Sequence, residues 1–108
     1  MDRLGTVLSA LSDRTRRTIV HRLADGGPAC VGDIAARFPT SLNAISKHIK
    51  VLEAAGLVRR RKEGRSSVLE FAGEPLREII QWAHTYERYW QAHLDKLDAV
   101  FAKKGTRQ

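Results

Sequence analysis

Three residues of one short segment carry groups suited to reading a polar, anionic partner. Asn43 brings an amide that both donates and accepts, while Lys47 and Lys50 bring ammonium groups that only donate. Spaced four and three positions apart, they share one face if the segment is helical, and Ala44 and Ser46 beside them keep that face low. Ile45, Ile49 and Leu52 repeat at i, i+4, i+7 on the opposite side, which predicts a helix from Leu42 to Ala55 with its apolar stripe turned inward. A helix enters the major groove of B-DNA only if its outward side chains permit close approach and can bond base edges or phosphates. This face satisfies both conditions. Ser41 is placed to cap the helix, whose N-terminus adds free backbone N–H groups and a positive dipole end for phosphate.

The neighbouring elements must hold that face outward. A helix from Val31 to Phe38 would bury Ile34, Ala35 and Phe38 before Pro39-Thr40-Ser41 forces a turn, so residues 31–56 read as a helix-turn-helix whose first helix braces the second. Gly56 sits where a left-handed residue ends the second helix. Strands are expected over Leu57–Lys62 and Ser66–Phe71, around Glu63-Gly64-Arg65, with Gly64 supplying the positive φ of a tight hairpin. The run Arg59-Arg60-Arg61-Lys62 makes this hairpin, residues 57–72, basic. Upstream, Ser12 or Asp13 caps a helix over Arg14–Ala24, where Ile19, Val20 and Leu23 point inward and Gly26-Gly27-Pro28 ends it. Arg16 and Arg17, near acidic neighbours, are expected to form internal salt bridges.

The two ends of the chain predict a second copy. Gly73-Glu74-Pro75 opens a helical run to about Lys104 that no glycine or proline interrupts. Roughly thirty residues make a rod of about 45 Å, whereas a compact domain of this size has a radius of gyration of about 13 Å. The distal half still carries apolar side chains, and a stripe of that area left in water is an aggregation hazard. A two-fold interface is therefore expected from Leu4, Val7, Leu8 and Leu11 of the opening helix with Trp82, Tyr86, Tyr89, Trp90, Leu94, Leu97 and Phe101 of the last. A break near Thr85 would instead fold the last helix back on itself, but no turn residue supports one. The aromatic cluster Trp82, Tyr86, Tyr89 and Trp90 reads as packing, with a ligand pocket as the other possibility.

Composition is consistent with this. The 108 residues suit one domain, and 43% hydrophobic with 29% charged residues is ordinary globular usage. Nineteen Lys and Arg against twelve Asp and Glu give a net charge of +7, which points to a polyanionic partner, nucleic acid or an anionic membrane surface. No stretch approaches the length of a spanning segment, the N-terminus lacks the order of a secretion signal, and Cys30 alone allows no intrachain disulfide framework. A cytoplasmic location is the expectation. An enzyme is not expected, because there is no phosphate-binding glycine loop, no nucleophile elbow and no paired carboxylates in a plausible cleft.

Three stretches carry a resemblance: LSDRTRRTIV from Leu11 to Val20, VGDIAARF from Val31 to Phe38, and SKHIKVLEAAGLV from Ser46 to Val58 with the basic run that follows. Together they resemble the ArsR/SmtB family of winged-helix repressors. The resemblance implies a mainly α fold with a small β-hairpin wing, in the order α-α-α-α-β-β-α. It also implies one domain over residues 1–108, with residues 1–11 and 75–104 as dimerisation helices. Ser41, Asn43, Ala44, Ser46, Lys47 and His48 carry over as the surface that reads double-stranded DNA, with Lys50 beside them. Arg61, Lys62, Arg65 and Ser66 are the wing candidates, while Arg60 can point sideways. His48, nearer the buried side than Lys47, either orients the helix or meets a phosphate.

Many family members sense metals. Their third helix opens with a Cys-x-Cys pair, where this chain reads Cys30-Val31-Gly32-Asp33-Ile34 and keeps one thiol of the two or three that a soft metal wants. His84 and His93 do not reproduce the histidine and carboxylate spacing of the other family site. No metal, cofactor or membrane partner is therefore expected, and the effector is not legible. The expected function is a homodimeric, sequence-specific transcriptional regulator, most simply a repressor on a pseudo-palindromic operator. Two other readings stay open: a non-sequence-specific architectural nucleic-acid binder, and a thiol- or metal-responsive sensor built on Cys30, which otherwise serves as a small buried hydrophobe.

Overall fold

The computed structural model describes residues 2–105, with side-chain environments through residue 102. Residues 1 and 106–108 of the expected domain lie outside the described residues, as do the side chains of 103–104 in the expected dimerisation helix. The elements run α1 (Arg3–Ala10), α2 (Arg14–Gly26), β1 (Ala29–Cys30), α3 (Val31–Ala35), α4 (Leu42–Ala54), β2 (Val58–Glu63), β3 (Ser66–Phe71) and α5 (Leu76–Gly105). This is the winged helix-turn-helix arrangement, mainly α with a hairpin wing.

The core forms where the apolar stripes converge. Val7 of α1, Ile19 and Leu23 of α2, Ile34 of α3, and Ile45, Ile49 and Leu52 of α4 meet Leu57 and Leu69 at the base of the wing. No polar or charged residue is buried among the described residues. Val7, expected at a two-fold interface, is fully enclosed in this core and has no area left to offer a partner. Leu4 and Leu11 are half-buried and Leu8 is exposed.

Two helix ends differ from the sequence reading by two residues or more. The third helix stops at Ala35, and the chain tightens through i→i+3 bonds, Arg37 N–H to Ile34 O and Phe38 N–H to Ala35 O, before Pro39. A residue before proline is pushed out of the α region, so Phe38 reaches the core from the turn and not from the helix. The second helix runs two residues further, to Gly26, and Gly27 leaves it at φ 81°.

The wing is a three-stranded antiparallel sheet in the order β1-β3-β2. The first strand of its hairpin lies one residue later than expected, Val58–Glu63 in place of Leu57–Lys62, so the loop has two residues and not the three of Glu63-Gly64-Arg65. Glu63 pairs with Ser66, and Gly64, with the expected positive φ at 59°, is followed by Arg65 at negative φ, as a type II′ turn requires. The added strand, β1, pairs Ala29 with Leu69 and Cys30 with Val68. Two residues are too few to show the alternation by which a strand is recognised.

The last helix is continuous over 30 residues, without the break considered near Thr85. Leu76 and Ile79 pack on the core, and Arg3 Nε of α1 lies 2.9 Å from Glu78 Oε1. From Ile80 to Ala102 every side chain except the half-buried Leu94 is exposed. The radius of gyration is 20.1 Å, well above the ~13 Å of a compact chain of this length.

Candidate nucleic-acid interface

The recognition surface is built from α4 outward. Ser41 caps it, its Oγ accepting from the Ala44 N–H at 3.2 Å, which leaves the hydroxyl hydrogen free to donate. At the other end the Gly56 N–H donates to Glu53 O and the Leu57 N–H to Leu52 O, both at 3.0 Å. With Gly56 at φ 77° this is a Schellman ending, sealed by the enclosed pair Leu52 and Leu57. The chain therefore leaves the helix and enters β2 at a set angle, so helix and wing are positioned together.

Ile45, Ile49 and Leu52 are fully enclosed, while Asn43, Lys47 and Lys50 on the opposite face are exposed and Ala44 and Ser46 are half-buried between them. Neither lysine is in a salt bridge among the described residues. An open cleft of about 530 Å³ separates the start of α4 from the wing. It brings Ser46, Arg65 and Ser66 to one place, with Leu42, Arg60, Ser67 and Cys30 also on its walls. Leu42, at the first position of α4, is 56% exposed and lies outside the enclosed stripe of Ile45, Ile49 and Leu52.

The wing's charges divide by strand face. Arg59, Arg61, Glu63 and Glu70 share one face and neutralise one another: Arg61 Nε is 3.0 Å from Glu63 Oε1, its Nη1 is 3.0 Å from Glu70 Oε2, and Arg59 Nε is 3.5 Å from Glu70 Oε1. Arg60 and Lys62 lie on the other. Arg60 is engaged with Glu53 of α4, Nη2 to Oε1 at 2.8 Å, as its sideways placement anticipated. Lys62 and Arg65 are exposed and outside any ion pair among the described residues.

His48 is half-buried and faces α2. Its Nδ1 lies 3.2 Å from Arg16 Nη1 and 3.8 Å from Asp13 Oδ2. The expected salt bridges of Arg16 and Arg17 are not formed. Arg16 donates to the carbonyls of Ala10 (2.6 Å) and Ser9 (3.2 Å), and Arg17 to that of Leu11 (2.8 Å), which adds side-chain donors at the end of α1, where the Ser9 carbonyl also accepts from the Ser12 N–H and hydroxyl. Sequence spacing pointed to nearby carboxylates and held no signal for a preceding helix end. The Asp13 carboxyl is held below its ordinary value chiefly by the hydrogen bond from the Arg16 N–H. Desolvation works the other way, and the Arg16 charge, the Thr15 N–H and, whenever its ring is protonated, His48 add to the lowering.

Cys30 is half-buried at the start of α3, and among the described residues no three His, Cys, Asp or Glu side chains gather as metal ligands. Trp82, Tyr86, Tyr89, Trp90, Leu97 and Phe101 form a run of exposed large side chains along α5. Trp82 packs edge-on against Tyr86 at 5.4 Å between ring centres, and Trp90 stacks on His93 at 5.8 Å.

Comparison with known proteins gives the same picture. A helix-turn-helix domain model matches residues 11–61. The HTH-type transcriptional regulator Rv2034 of Mycobacterium tuberculosis is 49% identical over 61 residues, which cover 56% of this chain and 56% of that protein's length. The transcriptional repressor SdpR of Bacillus subtilis is 33% identical over 79 residues, 73% of this chain and 87% of that one. Among solved structures, an ArsR-like transcriptional regulator from a Rhodococcus species superposes with a TM-score of 0.70 at 31% identity, covering 91% of this chain and 92% of its own. A homodimeric winged helix-turn-helix DNA-binding domain from Mycobacterium bovis superposes with 0.65 at 27% identity, covering 85% and 84%. By fold, by the matched segments and by the extent of these similarities, the chain belongs to the ArsR/SmtB family of winged helix-turn-helix transcriptional regulators.

Proposed function

We propose that the chain acts as a homodimeric repressor. Each protomer lays α4 in a major groove of a pseudo-palindromic operator and runs its wing along the flanking backbone, so that the bound dimer occludes a promoter. The observation that carries this reading is the division of α4 into an enclosed face, Ile45, Ile49 and Leu52, and an outward face, Asn43, Lys47 and Lys50. Hydrogen-bonding groups of this kind suit base edges, whereas an architectural binder would favour apolar wedges or a uniformly basic surface.

In this assignment Asn43, Ser46 and Lys47 read bases, with Ala44 allowing close approach. Ser41, His48 and Lys50 contact phosphate, and Lys62, Arg65 and Ser66 meet the flanking backbone. Arg61 contributes less, because two carboxylates already hold it. Pairing is assigned to α5 through Trp82, Tyr86, Tyr89, Trp90, Leu94, Leu97 and Phe101, with Leu4, Leu8 and Leu11 of α1 at its margin. It is supported by the exposure of that stripe and by the homodimeric state of the Mycobacterium bovis domain. Residues 31–56 then form the reading unit, 57–72 the wing, and 1–11 with 75–104 the pairing helices.

Selection of duplexes from a random pool tests the reading. A recovered inverted repeat bound by two chains is the expected result. Equal retention of all sequences would favour a non-specific architectural role.

A further inference from the structure

We propose that Arg16 is a positioning residue that fixes His48 in its Nε2–H tautomer, so that the recognition helix presents one neutral N–H donor to a DNA phosphate. The argument begins with what each group can do. A guanidinium has only donors. Arg16 Nη1 lies 3.2 Å from His48 Nδ1, so this contact is a hydrogen bond only if Nδ1 carries a lone pair. The proton of the neutral ring then resides on Nε2, and an imidazolium, which donates from both nitrogens, does not fit the contact.

The competing partner is poorly placed. Asp13 Oδ2 is 3.8 Å from Nδ1, beyond hydrogen-bond range, and already accepts the Arg16 N–H at 3.0 Å. Nε2 has no hydrogen bond among the described residues, and no side-chain nitrogen there is both buried and unpartnered, so Nε2 is open to solvent. Arg16 is itself held from a second direction. Its Nε and Nη2 are anchored on the Ala10 and Ser9 carbonyls at the end of α1, so one guanidinium ties α1, α2 and α4 together.

The phosphate step rests on the DNA-binding reading above, whereas the tautomer is a property of the free protein. Two measurements separate them. In long-range proton–nitrogen NMR of the full chain with labelled histidine, at a pH above the ordinary histidine range of about 6.5, His48 Nδ1 is expected unprotonated and Nε2 protonated. Arg16→Met is expected to hand Nδ1 to Asp13 and move the proton to it. Wild-type protein with the proton on Nδ1, or an unchanged tautomer in the variant, overturns the proposal. The wild-type spectrum decides alone if Arg16→Met does not fold.

For the second arm, the probe is the duplex selected from the random pool. The side-chain nitrogen of Gln reaches the Nε2 position and that of Asn does not. His48→Gln is therefore expected to bind within about threefold of wild type, and His48→Asn about tenfold more weakly with its salt slope unchanged, because a neutral donor releases no counterion. Equal losses in the two variants, or a slope reduced by about 0.9, would overturn the neutral donor. Failure of the wild type to bind any duplex would defeat the functional reading and the phosphate step, while the NMR result would still decide what Arg16 does to the ring.

Discussion

Arg60 of the wing grips Glu53 of the recognition helix, with Nη2 at 2.8 Å and Nε at 3.3 Å from the same carboxylate oxygen. A cation in the middle of the basic run is thus spent on geometry and not on the polyanion. It supports, from the side-chain level, the fixed angle that the Schellman ending at Gly56 sets in the backbone. Arg60→Ala should leave the salt dependence of DNA binding unchanged and lower stability by less than about 1 kcal/mol, the range of partly exposed ion pairs. Thermal melts and binding at several salt concentrations read both quantities, and a reduced slope would show that Arg60 meets phosphate.

The free cations should behave differently. Lys62→Ala and Arg65→Ala are each expected to weaken all duplexes alike and to reduce the salt slope by about 0.9. Glu70→Gln removes the charge that holds both Arg59 and Arg61 and should raise non-specific affinity with a steeper slope. An effect of Lys62→Ala confined to one duplex sequence would mean that the wing reads bases.

On α4 the expectation is loss of discrimination. Asn43→Ala and Lys47→Ala should each cost about 1–3 kcal/mol on the selected site and relax preference at one base position. Both side chains are exposed, so melting temperatures should hardly change. Competition among single-base variants of the site measures this, and unchanged preference would remove both residues from the reading surface.

Trp90 is 61% exposed in the protomer, so Trp90→Asp should not disturb the fold. If α5 pairs the subunits, this change should weaken the dimer by at least about 2 kcal/mol, as for a central aromatic anchor. Sedimentation across a concentration series would show monomers. A dimer of unchanged strength would place the interface elsewhere.

Asp13 gives a pH signature. Its carboxyl is depressed below the ordinary 3.8, first by the Arg16 N–H, so the folded state prefers the ionised form. The stabilisation is fully present above the unfolded value and is lost as pH falls through the folded one. Asp13→Asn keeps a good helix cap but no charge. The melting-temperature gap between wild type and Asp13→Asn should therefore be constant near neutrality and close below about pH 4. A gap that persists in acid would assign the effect to the cap alone.

What could be read in advance follows from how local each signal is. The exposed and enclosed faces of α4, the end at Gly56 and the turn at Gly64 are set by residues within a few positions of one another, and they appear where periodicity and glycine placed them. The early end of α3 was also encoded, in the restriction Pro39 imposes on Phe38, but the apolar spacing of Phe38 outweighed it. β1 is too short to announce itself. The engagement of Arg16 with His48, 32 positions away, and of Arg61 with Glu70 depends on packing that no spacing reveals. Val7 looked like interface because a single stripe on a short helix does not say which of two surfaces it covers.

Hydroxyl-radical footprinting of the selected duplex tests the central claim most directly, since it reports both the pairing of subunits and the placement of their helices on the DNA. Two protected patches related by two-fold symmetry, with centres about 10 base pairs or a near multiple apart, are the result expected of a dimer with α4 in successive major grooves. A single asymmetric patch, or even protection along the whole duplex, would contradict it.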